Sequence, residues 1–485
     1  MIIPKEVKHV IEKLKKAKYE AYIVGGCVRD FLREEEPEDW DITTNAKPQE
    51  VKKVFPKSFY ENKFLTVTVQ TESKKPELKE IEITTFRKEA KYTDKRHPDE
   101  VKFAGTIQED LARRDFTVNA MAIDLKNSDF QLIDPFKGQK DLKNKIIRTV
   151  GNAKERFNED ALRMMRAVRF AATMDFTIES KTAEAIKKNS LWLQAVSKER
   201  IRDEFLKIIN SERAVQGLEL LRELGLLKHI IPELEEGFGI SQNKHHIYGC
   251  YEHSLRSLSY AVKKNFNTFV RLAALLHDVG KPRVKRGEGK ESTFYGHEIV
   301  GAKMTAQILN RLKFSKKEIE KITKLVRYHL FYYNPDEVGN SSVRRLVRQA
   351  GLENMEELLQ VRMADRIGSG VPKAEPYKLR HLKYLIEKVS QDPISVKMLK
   401  VGGNDVMNIL NVRPCPKVGQ VLDILLGYVL ADPKKNDKEF LKNKIKELGK
   451  LSDEELKKIS QKARKEREKI ETKRDQMTKK KYWVT

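Results

Sequence analysis

The chain has 485 residues, of which 39% are hydrophobic and 34% are charged. This length suits about two to four domains, each with its own hydrophobic core, and the composition excludes an intrinsically disordered protein. Only three cysteines occur, so a disulfide framework is excluded as well. The net charge of +25 predicts attraction to a polyanion, for which RNA, DNA and an anionic membrane are the candidates.

The N-terminal 150 residues mix strand-like runs with short helical patterns. Strands are predicted at 21–24, 65–70, 81–85 and 117–123. From about residue 152 onward such runs vanish, and apolar residues recur at intervals of three and four, as in Leu162, Met165, Val168 and Ala172. We therefore expect an α+β protein in which a mixed-sheet head is followed by an all-α remainder.

A Gly-Gly turn follows the first predicted strand. Gly25 and Gly26 stand between the strand and a helix that contains Arg29. Two glycines there let backbone N–H groups approach a phosphate, and the Arg29 guanidinium could bind the same anion. Gly-Gly turns without any ligand are also common, so this pattern alone leaves both interpretations open.

Three carboxylates come next along the chain. In Asp39-Trp40-Asp41, residues two apart share one face of an extended segment, so both carboxylates could bind one Mg²⁺ while Trp40 enters the core. Glu82 alternates with Ile81 and Ile83 and could join them. Phosphoryl transfer to a ribose hydroxyl requires a pair of carboxylates such as Asp39 and Asp41. An Asp-rich turn and an exposed strand glutamate are the plain alternatives.

Five motifs in order connect these residues to a known family. They are Gly25-Gly26-Cys27-Val28-Arg29-Asp30, Asp39-Trp40-Asp41, Thr84-Thr85-Phe86-Arg87, Arg113-Arg114-Asp115-Phe116-Thr117-Val118-Asn119-Ala120-Met121 and Glu159-Asp160-Ala161-Leu162-Arg163. The sequence closely resembles bacterial CCA-adding enzymes, which share this head with bacterial poly(A) polymerases. The resemblance implies template-independent, Mg²⁺-dependent addition of nucleotides from CTP and ATP to the 3′ end of tRNA.

The resemblance also implies roles for individual residues. Gly26 and Arg29 would contact the incoming triphosphate, and Asp39 and Asp41 would bind Mg²⁺. The residues expected to hold the triphosphate and ribose are Arg114, Asp115 and Asn119. A surface ion-pair cluster is the alternative for the Arg113-Arg114-Asp115 segment.

Asp160 and Arg163 are predicted to select the base. Three residues apart on a helix, they would lie on one face, where the carboxylate accepts from an exocyclic amine and the guanidinium donates to the ring. Cytosine and adenine carry that amine, whereas uracil and guanine present a carbonyl that Asp160 would repel. Arg166 and Arg169 continue the series, which in the family faces nucleotide and phosphate. The alternative is an i, i+3 salt bridge between Asp160 and Arg163.

The segment 88–106 is charged and corresponds to a flexible loop that, in this family, helps to switch the pocket from C to A. Its presence favours full CCA addition or A addition over CC addition alone. The alternative functions closest to CCA addition are therefore those of a poly(A) polymerase and of an A-adding tRNA nucleotidyltransferase.

A second set of polar residues lies in the middle of the chain. His253, His277, Asp278 and Asp365 resemble the ligands of the HD phosphohydrolase domain found in some tRNA nucleotidyltransferases, and His297 with His329 could complete a second site. Such a site would hold a second divalent metal, of the transition series, and hydrolyse phosphoesters. The alternative interpretations are an HD fold that has lost metal and activity, and a head that serves only as the RNA-binding module of an HD phosphohydrolase.

The expected division is a catalytic head (1–150), a helical neck (151–240), an HD domain (241–370) and a basic tRNA-binding region (371–485). The last includes a Lys- and Arg-rich tail at 457–481, which is either a solvated helix or an RNA-backbone contact. No apolar run could span a bilayer and no secretory signal is evident, so we expect a cytoplasmic protein without membrane association.

Overall fold

The computed structural model describes residues 3–61, 66–90, 100–126, 129–242, 247–335, 337–390 and 396–484. Its strands are β1 (Ala21–Val24), β2 (Asp41–Thr44), β3 (Ser58–Glu61), β4 (Thr66–Gln70), β5 (Glu80–Thr85), β6 (Arg87–Ala90), β7 (Glu100–Phe103), β8 (Ala122–Lys126), β9 (Asp129–Ile133), β10 (Ile146–Ile147) and β11 (Thr177–Ile178).

The helices are distributed along the whole chain and dominate it after β9. Those up to residue 263 are α1 (Lys5–Lys16), α2 (Gly26–Leu32), α3 (Pro48–Val54), α4 (Pro76–Lys79), α5 (Ile107–Ala112), α6 (Gly138–Lys143), α7 (Ala153–Glu159), α8 (Arg163–Met174), α9 (Ser180–Asn189), α10 (Lys198–Asn210), α11 (Ala214–Glu223), α12 (Leu227–Ile230), α13 (Pro232–Glu235) and α14 (Cys250–Lys263). Those that follow are α15 (Thr268–Leu276), α16 (Lys281–Val284), α17 (His297–Arg311), α18 (Lys316–Tyr328), α19 (Asn340–Ala350), α20 (Met355–Gly368), α21 (Tyr377–Ser390), α22 (Gly403–Leu410), α23 (Pro416–Ala431), α24 (Lys438–Gly449) and α25 (Asp453–Lys481).

A seven-stranded sheet forms the head, in the order β3-β4-β5-β2-β1-β8-β9. Strands β2 and β5 are parallel and the other neighbours are antiparallel, so the sheet is mixed, as predicted. One strand prediction was wrong in part: residues 117–119 form a 3-10 turn, and β8 begins only at Ala122. Apart from the two-residue pair β10–β11, the described residues after β9 that have regular structure are helical.

The chain divides into two compact units, Met1–Leu330 with Gln360–Pro372, and Phe331–Leu359 with Lys373–Thr485. The first unit contains the sheet and all the predicted catalytic residues. The finer division into four segments stays a prediction. None of the helices in the described ranges combines the length and the apolar character needed to cross a membrane.

Within the first unit, a buried arginine joins α15 to the end of α10. Arg271 is only 6% exposed. Its Nη1 donates to the carbonyl oxygens of Ile209, at 3.1 Å, and Ser211, at 3.3 Å, while its Nε donates to that of Phe266, at 2.9 Å. The last carbonyls of a helix lack partners within the helix, so Arg271 satisfies the C-terminal end of α10.

In the second unit, the predicted charged tail is the 29-residue helix α25. It begins at a capping box in which Ser452 and Glu455 exchange hydrogen bonds. Arg464 binds Asp423 of α23 at 2.6 Å, which fixes one face of the helix. Most of its basic side chains, including Lys462 and Lys465, are exposed.

Candidate functional site

Three carboxylates converge at one end of the sheet. Asp41 opens β2, and the parallel register pairs it directly with Glu82 of β5. Asp39 lies two residues earlier and is exposed, whereas Trp40 between them is buried at 3% exposure. Side chains alternate along an extended segment, so Trp40 enters the core while Asp39 and Asp41 lie on the other face, as the sequence predicts.

The electrostatics of Asp41 fit a cation site. Burial, followed by repulsion from Asp39 and Glu82, raises the pKa of the Asp41 carboxyl to about 6, although the Arg114 charge opposes this. Hard oxygen donors carrying excess negative charge are the ligands that Mg²⁺ takes in phosphoryl-transfer sites. The donor set therefore fits Mg²⁺.

The turn after β1 brings backbone close to these carboxylates. Gly25 has φ +85° and ψ −139°, and a Cβ added there would lie 2.8 Å from Arg114 Nη1 and 3.4 Å from Asp41 Oδ2. Only glycine combines that conformation with that space. The sequence-predicted Gly25-Gly26 turn and the predicted metal ligands thus share one site.

A chain of polar contacts runs from the glycine turn to α8. Arg29 Nη1 donates to Asn119 Oδ1 at 2.8 Å, Asn119 Nδ2 donates to Asp115 Oδ1 at 3.2 Å, and Arg166 Nε donates to Asp115 Oδ2 at 2.8 Å. Burial alone would raise the pKa of the Asp115 carboxyl, but the Arg166 and Arg163 charges and these hydrogen bonds lower it to about 2. Asp115 is therefore ionised and fixed.

The Arg113-Arg114 pair is anchored on a buried aspartate rather than on the surface. Asp110 is fully buried, and its Oδ1 accepts from Arg113 Nε at 3.0 Å. Arg114 Nη2 lies 3.6 Å from Asp110 Oδ2. The alternative interpretation as an exposed ion-pair cluster is therefore wrong, because the central carboxylate has no solvent access.

Asp160 and Arg163 are arranged differently from the prediction. They are not on one helix: Asp160 follows the end of α7 in an extended conformation, and α8 begins at Arg163. They do not form the alternative i, i+3 salt bridge either. Asp160 pairs with Arg200 at 2.7 Å, and Arg163 pairs with Glu159 at 2.7 Å.

Arg166 and Arg169 do lie on α8 and are held by the neighbouring helix α10. Arg169 Nε lies 2.9 Å from Glu204 Oε2, and Arg166 Nη1 lies 3.9 Å from Glu204 Oε1. Both guanidinium groups also stack over the ring of Phe170. The position of the two side chains is therefore set by α10 as well as by their own helix.

Sequence reasoning missed Arg200 and Glu204 as parts of the site. A signal for Glu204 was present, since it occupies a position on the apolar stripe of α10 beside Ile201, Phe205 and Ile208, and it is only 4% exposed. A glutamate at a core position needs a cationic partner. Arg200 carried no comparable signal.

The predicted histidine and aspartate set forms one compact cluster. His253 Nε2 lies 3.0 Å from Asp278 Oδ2 and 3.4 Å from Asp365 Oδ1. His277 Nε2 lies 3.3 Å from Asp278 Oδ2. Two groups of three potential metal ligands, His253, His277 and Asp365, and His277, Asp278 and His329, each have all their ligand atoms within 4.8 Å of one another.

Asp278 joins the two halves of this cluster. Its Oδ1 lies 3.3 Å from His297 Nε2 and 3.7 Å from His329 Nε2, while its Oδ2 also meets Lys281 Nζ at 2.6 Å. The expected second pair of histidines therefore shares an aspartate with the first set. Burial and the neighbouring His277 lower the pKa of His329 to about 3, so that imidazole is neutral.

The histidine rings are oriented as metal ligands require. Nδ1 of His277, His297 and His329 contacts the carbonyl oxygen three residues earlier, at 2.8, 2.7 and 2.7 Å respectively. A donated Nδ1–H leaves Nε2 with its lone pair toward the cluster, which is the orientation of an imidazole that binds a metal through Nε2. A cavity of about 740 Å³ opens beside the cluster and is lined in part by Arg362 and Arg366.

Two predictions fall on residues outside the described ranges. Residues 91–99 of the charged segment are not described, although β6 and β7 on either side pair as an antiparallel hairpin. The same holds for His245 and His246, for which the sequence favours surface positions over metal-ligand roles.

Comparison with known families assigns three segments of the chain. Residues 21–148 match the poly A polymerase head domain, residues 175–238 match the probable RNA and SrmB-binding site of polymerase A, and residues 250–368 match the HD domain.

Related proteins are bacterial tRNA-processing enzymes. The CCA-adding enzyme of Ligilactobacillus salivarius is 34% identical over 92% of this chain and 98% of its own length. The A-adding tRNA nucleotidyltransferase of Deinococcus radiodurans is also 34% identical, over 67% of this chain and 76% of its own length. The match to the CCA-adding enzyme of Lactococcus lactis subsp. lactis is 47% identical over 48% of this chain, and it spans only 57% of that relative.

Solved structures share the fold. The CCA-adding enzyme of Bacillus stearothermophilus in complex with CTP aligns with a TM-score of 0.58 at 28% identity, covering 92% of this chain and 98% of that one. The Thermotoga maritima CCA-adding enzyme complexed with tRNA_CCA aligns with a TM-score of 0.54 at 22% identity over 92% of this chain and 96% of that one.

Proposed function

The chain belongs to the tRNA nucleotidyltransferase/poly(A) polymerase family that includes the bacterial CCA-adding enzymes, and we propose that it adds the 3′-terminal CCA to tRNA from CTP and ATP, releasing pyrophosphate. The observation that carries the proposal is the convergence of Asp39, Asp41 and Glu82 beside the Gly25 turn. The proposed site of action is the cytoplasm, where tRNA is matured.

The three carboxylates are the proposed metal ligands. Asp39 and Asp41 would hold Mg²⁺ with Glu82 beside them; when bound, Mg²⁺ neutralises the triphosphate and activates the attacking 3′-hydroxyl. The raised pKa of Asp41 supports this role, because a cation relieves the repulsion among the three groups.

The residues around the glycine turn are the proposed nucleotide ligands. Backbone N–H groups at Gly25 and Gly26, with Arg29 and Arg114, would bind the triphosphate. Asp115 and Asn119 would hold the ribose, whose 2′-hydroxyl can both donate and accept. Their mutual hydrogen bond positions both groups before a nucleotide binds.

Asp160 and Arg163 are the proposed base-selecting residues, with Arg166 and Arg169 toward the phosphates. A carboxylate that accepts from an exocyclic amine and a guanidinium that donates to the ring discriminate cytosine and adenine from uracil and guanine. The anchored side chains, Asp160 on Arg200 and Arg163 on Glu159, support a fixed recognition edge that replaces a template.

The test uses tRNA that lacks its terminal CCA, with Mg²⁺ and with CTP and ATP supplied singly and together. We expect C residues from CTP alone, and CCA followed by a stop when both are present. Long A tails from ATP alone would instead identify a poly(A) polymerase, and addition of A only to tRNA that already ends in CC would identify an A-adding enzyme. Asp41→Asn should abolish addition, whereas the exposed control Asp129→Asn should not.

A second activity is proposed for the histidine cluster, where His253, His277, Asp278 and Asp365 would hold a divalent transition metal and support hydrolysis of a phosphoester such as a 2′,3′-cyclic phosphate at an RNA end. Two observations support this proposal: Nδ1 of His277 lies 2.8 Å from the carbonyl oxygen of Ala274, and the ligand atoms of His253, His277 and Asp365 lie within 4.8 Å of one another. The measurements are metal analysis of the purified protein and hydrolysis of a cyclic-phosphate RNA.

Paired substitution of His277 and Asp278 by alanine should remove both the bound transition metal and hydrolysis and leave nucleotide addition intact. Asp41→Asn should instead abolish nucleotide addition and leave the metal at the histidine cluster and hydrolysis unchanged. Hydrolysis without nucleotide addition by the unmodified protein would make the head an RNA-binding module.

A further inference from the structure

Arg200 of α10 clamps the carboxylate of Asp160 from the side. Arg200 Nη2 donates to Asp160 Oδ2 at 2.7 Å, and Nη1 donates to Oδ1 at 3.3 Å. The backbone N–H of Leu162 also donates to Oδ1, at 3.0 Å. A bidentate guanidinium fixes the plane of a carboxylate, so the orientation of Asp160 is determined by α10.

These contacts leave a defined acceptor position on Asp160. A carboxylate oxygen has two lone-pair sites. Both sites of Oδ1 are used, by Leu162 and Arg200, whereas Oδ2 accepts from Arg200 alone among the described residues. An incoming amine therefore meets one remaining acceptor site, on Oδ2.

Arg163, the second proposed base-selecting residue, is held by contacts that do not involve Arg200. Arg163 Nη1 donates to Glu159 Oε2 at 2.7 Å, and its Nη2 donates to the carbonyl oxygen of Arg113 at 3.1 Å. Two side chains with separate anchors can present one acceptor and one donor at constant spacing. Such spacing is what discriminates one base edge from another.

We propose that Arg200 is a positioning residue for base selection: by clamping Asp160 it leaves the single Oδ2 acceptor that admits an amine and excludes a carbonyl. This inference rests on the proposed nucleotide addition and goes beyond it, because it places part of the discrimination on a residue outside the five sequence motifs. Arg200 would act through Asp160 rather than on the base itself. Glu204, one turn further along α10, forms an ion pair with Arg169, in which Glu204 Oε2 lies 2.9 Å from Arg169 Nε, so the same helix contacts both Asp160 and Arg169.

The test compares Arg200→Ala and Arg200→Lys with the control Arg202→Ala. Arg202 lies on the same helix but pairs with Asp203 and with the carbonyl oxygen of Lys313. The measured quantity is kcat/KM for CTP, ATP, UTP and GTP on tRNA lacking CCA. We expect the CTP-over-UTP ratio to fall by about tenfold or more in Arg200→Ala, the factor that one hydrogen bond to a charged group supports. Arg200→Lys, which keeps the charge but not the bidentate geometry, should lie between Arg200→Ala and the unmodified protein, and Arg202→Ala should keep the full ratio.

A merely structural role predicts lower activity with an unchanged ratio, and that outcome in folded Arg200→Ala would overturn the inference. If Arg200→Ala does not fold, Arg200→Lys decides alone, and an unchanged ratio there would overturn the inference too. In an Asp160→Ala background the effect of Arg200→Ala on the ratio should disappear, because Arg200 acts through Asp160; a persisting effect would contradict it. Failure of the unmodified protein to add C or A would reject the proposed function instead, so the two failures are distinguishable.

Discussion

Replacing Gly25 by alanine should impair nucleotide addition through one identified contact. The added Cβ would lie 2.8 Å from Arg114 Nη1, which is too close, so the guanidinium must move by several tenths of an ångström. Asp41 Oδ2, at 3.4 Å, also crowds the methyl group. Because a displacement of about 1 Å in a catalytic constellation costs about 100-fold in rate, we expect kcat/KM for CTP to fall by about 10- to 100-fold.

The same substitution also strains the backbone, by about 1–3 kcal/mol, because φ at Gly25 is +85°. Gly151→Ala separates the two effects: φ there is +68°, but an added Cβ meets nothing within 4 Å. Steady-state kinetics with CTP and thermal unfolding of both variants form the assay. Equal kinetic losses in Gly25→Ala and Gly151→Ala would refute the contact argument, since only one of them displaces Arg114.

Three further predictions concern stability and RNA binding. Asp115→Asn should destabilise the protein at pH 7 by about 2 kcal/mol, because the pKa of the folded-state carboxyl is about 2 against an ordinary 3.8. This contribution is complete above about pH 4 and is lost as the pH falls through 2. Urea unfolding should therefore show the free energies of unfolding of Asp115→Asn and the unmodified protein converging in acid. A difference between them that does not change with pH would contradict the link to Arg166. Arg271→Ala should lower the free energy of unfolding by about 2–4 kcal/mol, since carbonyls at the end of α10 lose a charged donor, and an unchanged melting temperature would exclude that role. Alanine at Lys462 and Lys465 should reduce the slope of log Kd for tRNA against log salt by about 2 if α25 contacts phosphates, whereas an unchanged slope would indicate a solvated helix.

The sequence was sufficient for features that depend on local periodicity. The mixed head, the helical remainder and the burial of Trp40 between two acidic residues follow from alternation and from 3.6-residue spacing. The histidine cluster was anticipated from its resemblance to the HD domain, and its members do meet around Asp278.

Contacts between residues far apart in the chain could not be predicted from such local patterns. The spacing of Asp160 and Arg163 predicts one helix, but α7 ends before Asp160 and α8 begins at Arg163, and each side chain is held by a different partner. Arg200 lies forty residues from Asp160, and no spacing rule connects such positions. The direction in which Arg200 points is decided by the packing of α10 against α8.

The bond between Arg271 and the end of α10 has a consequence for truncation. A fragment ending at the predicted neck boundary near 240 would delete Arg271 and leave the carbonyls of Ile209 and Ser211 without their donor. The helix that would fray is the one that carries Arg200 and Glu204. We therefore expect such a fragment to discriminate poorly among bases even where its carboxylates and glycine turn are intact. The segment that carries the histidine cluster would then contribute to base selection by stabilising α10, independently of any metal or hydrolysis at the cluster itself.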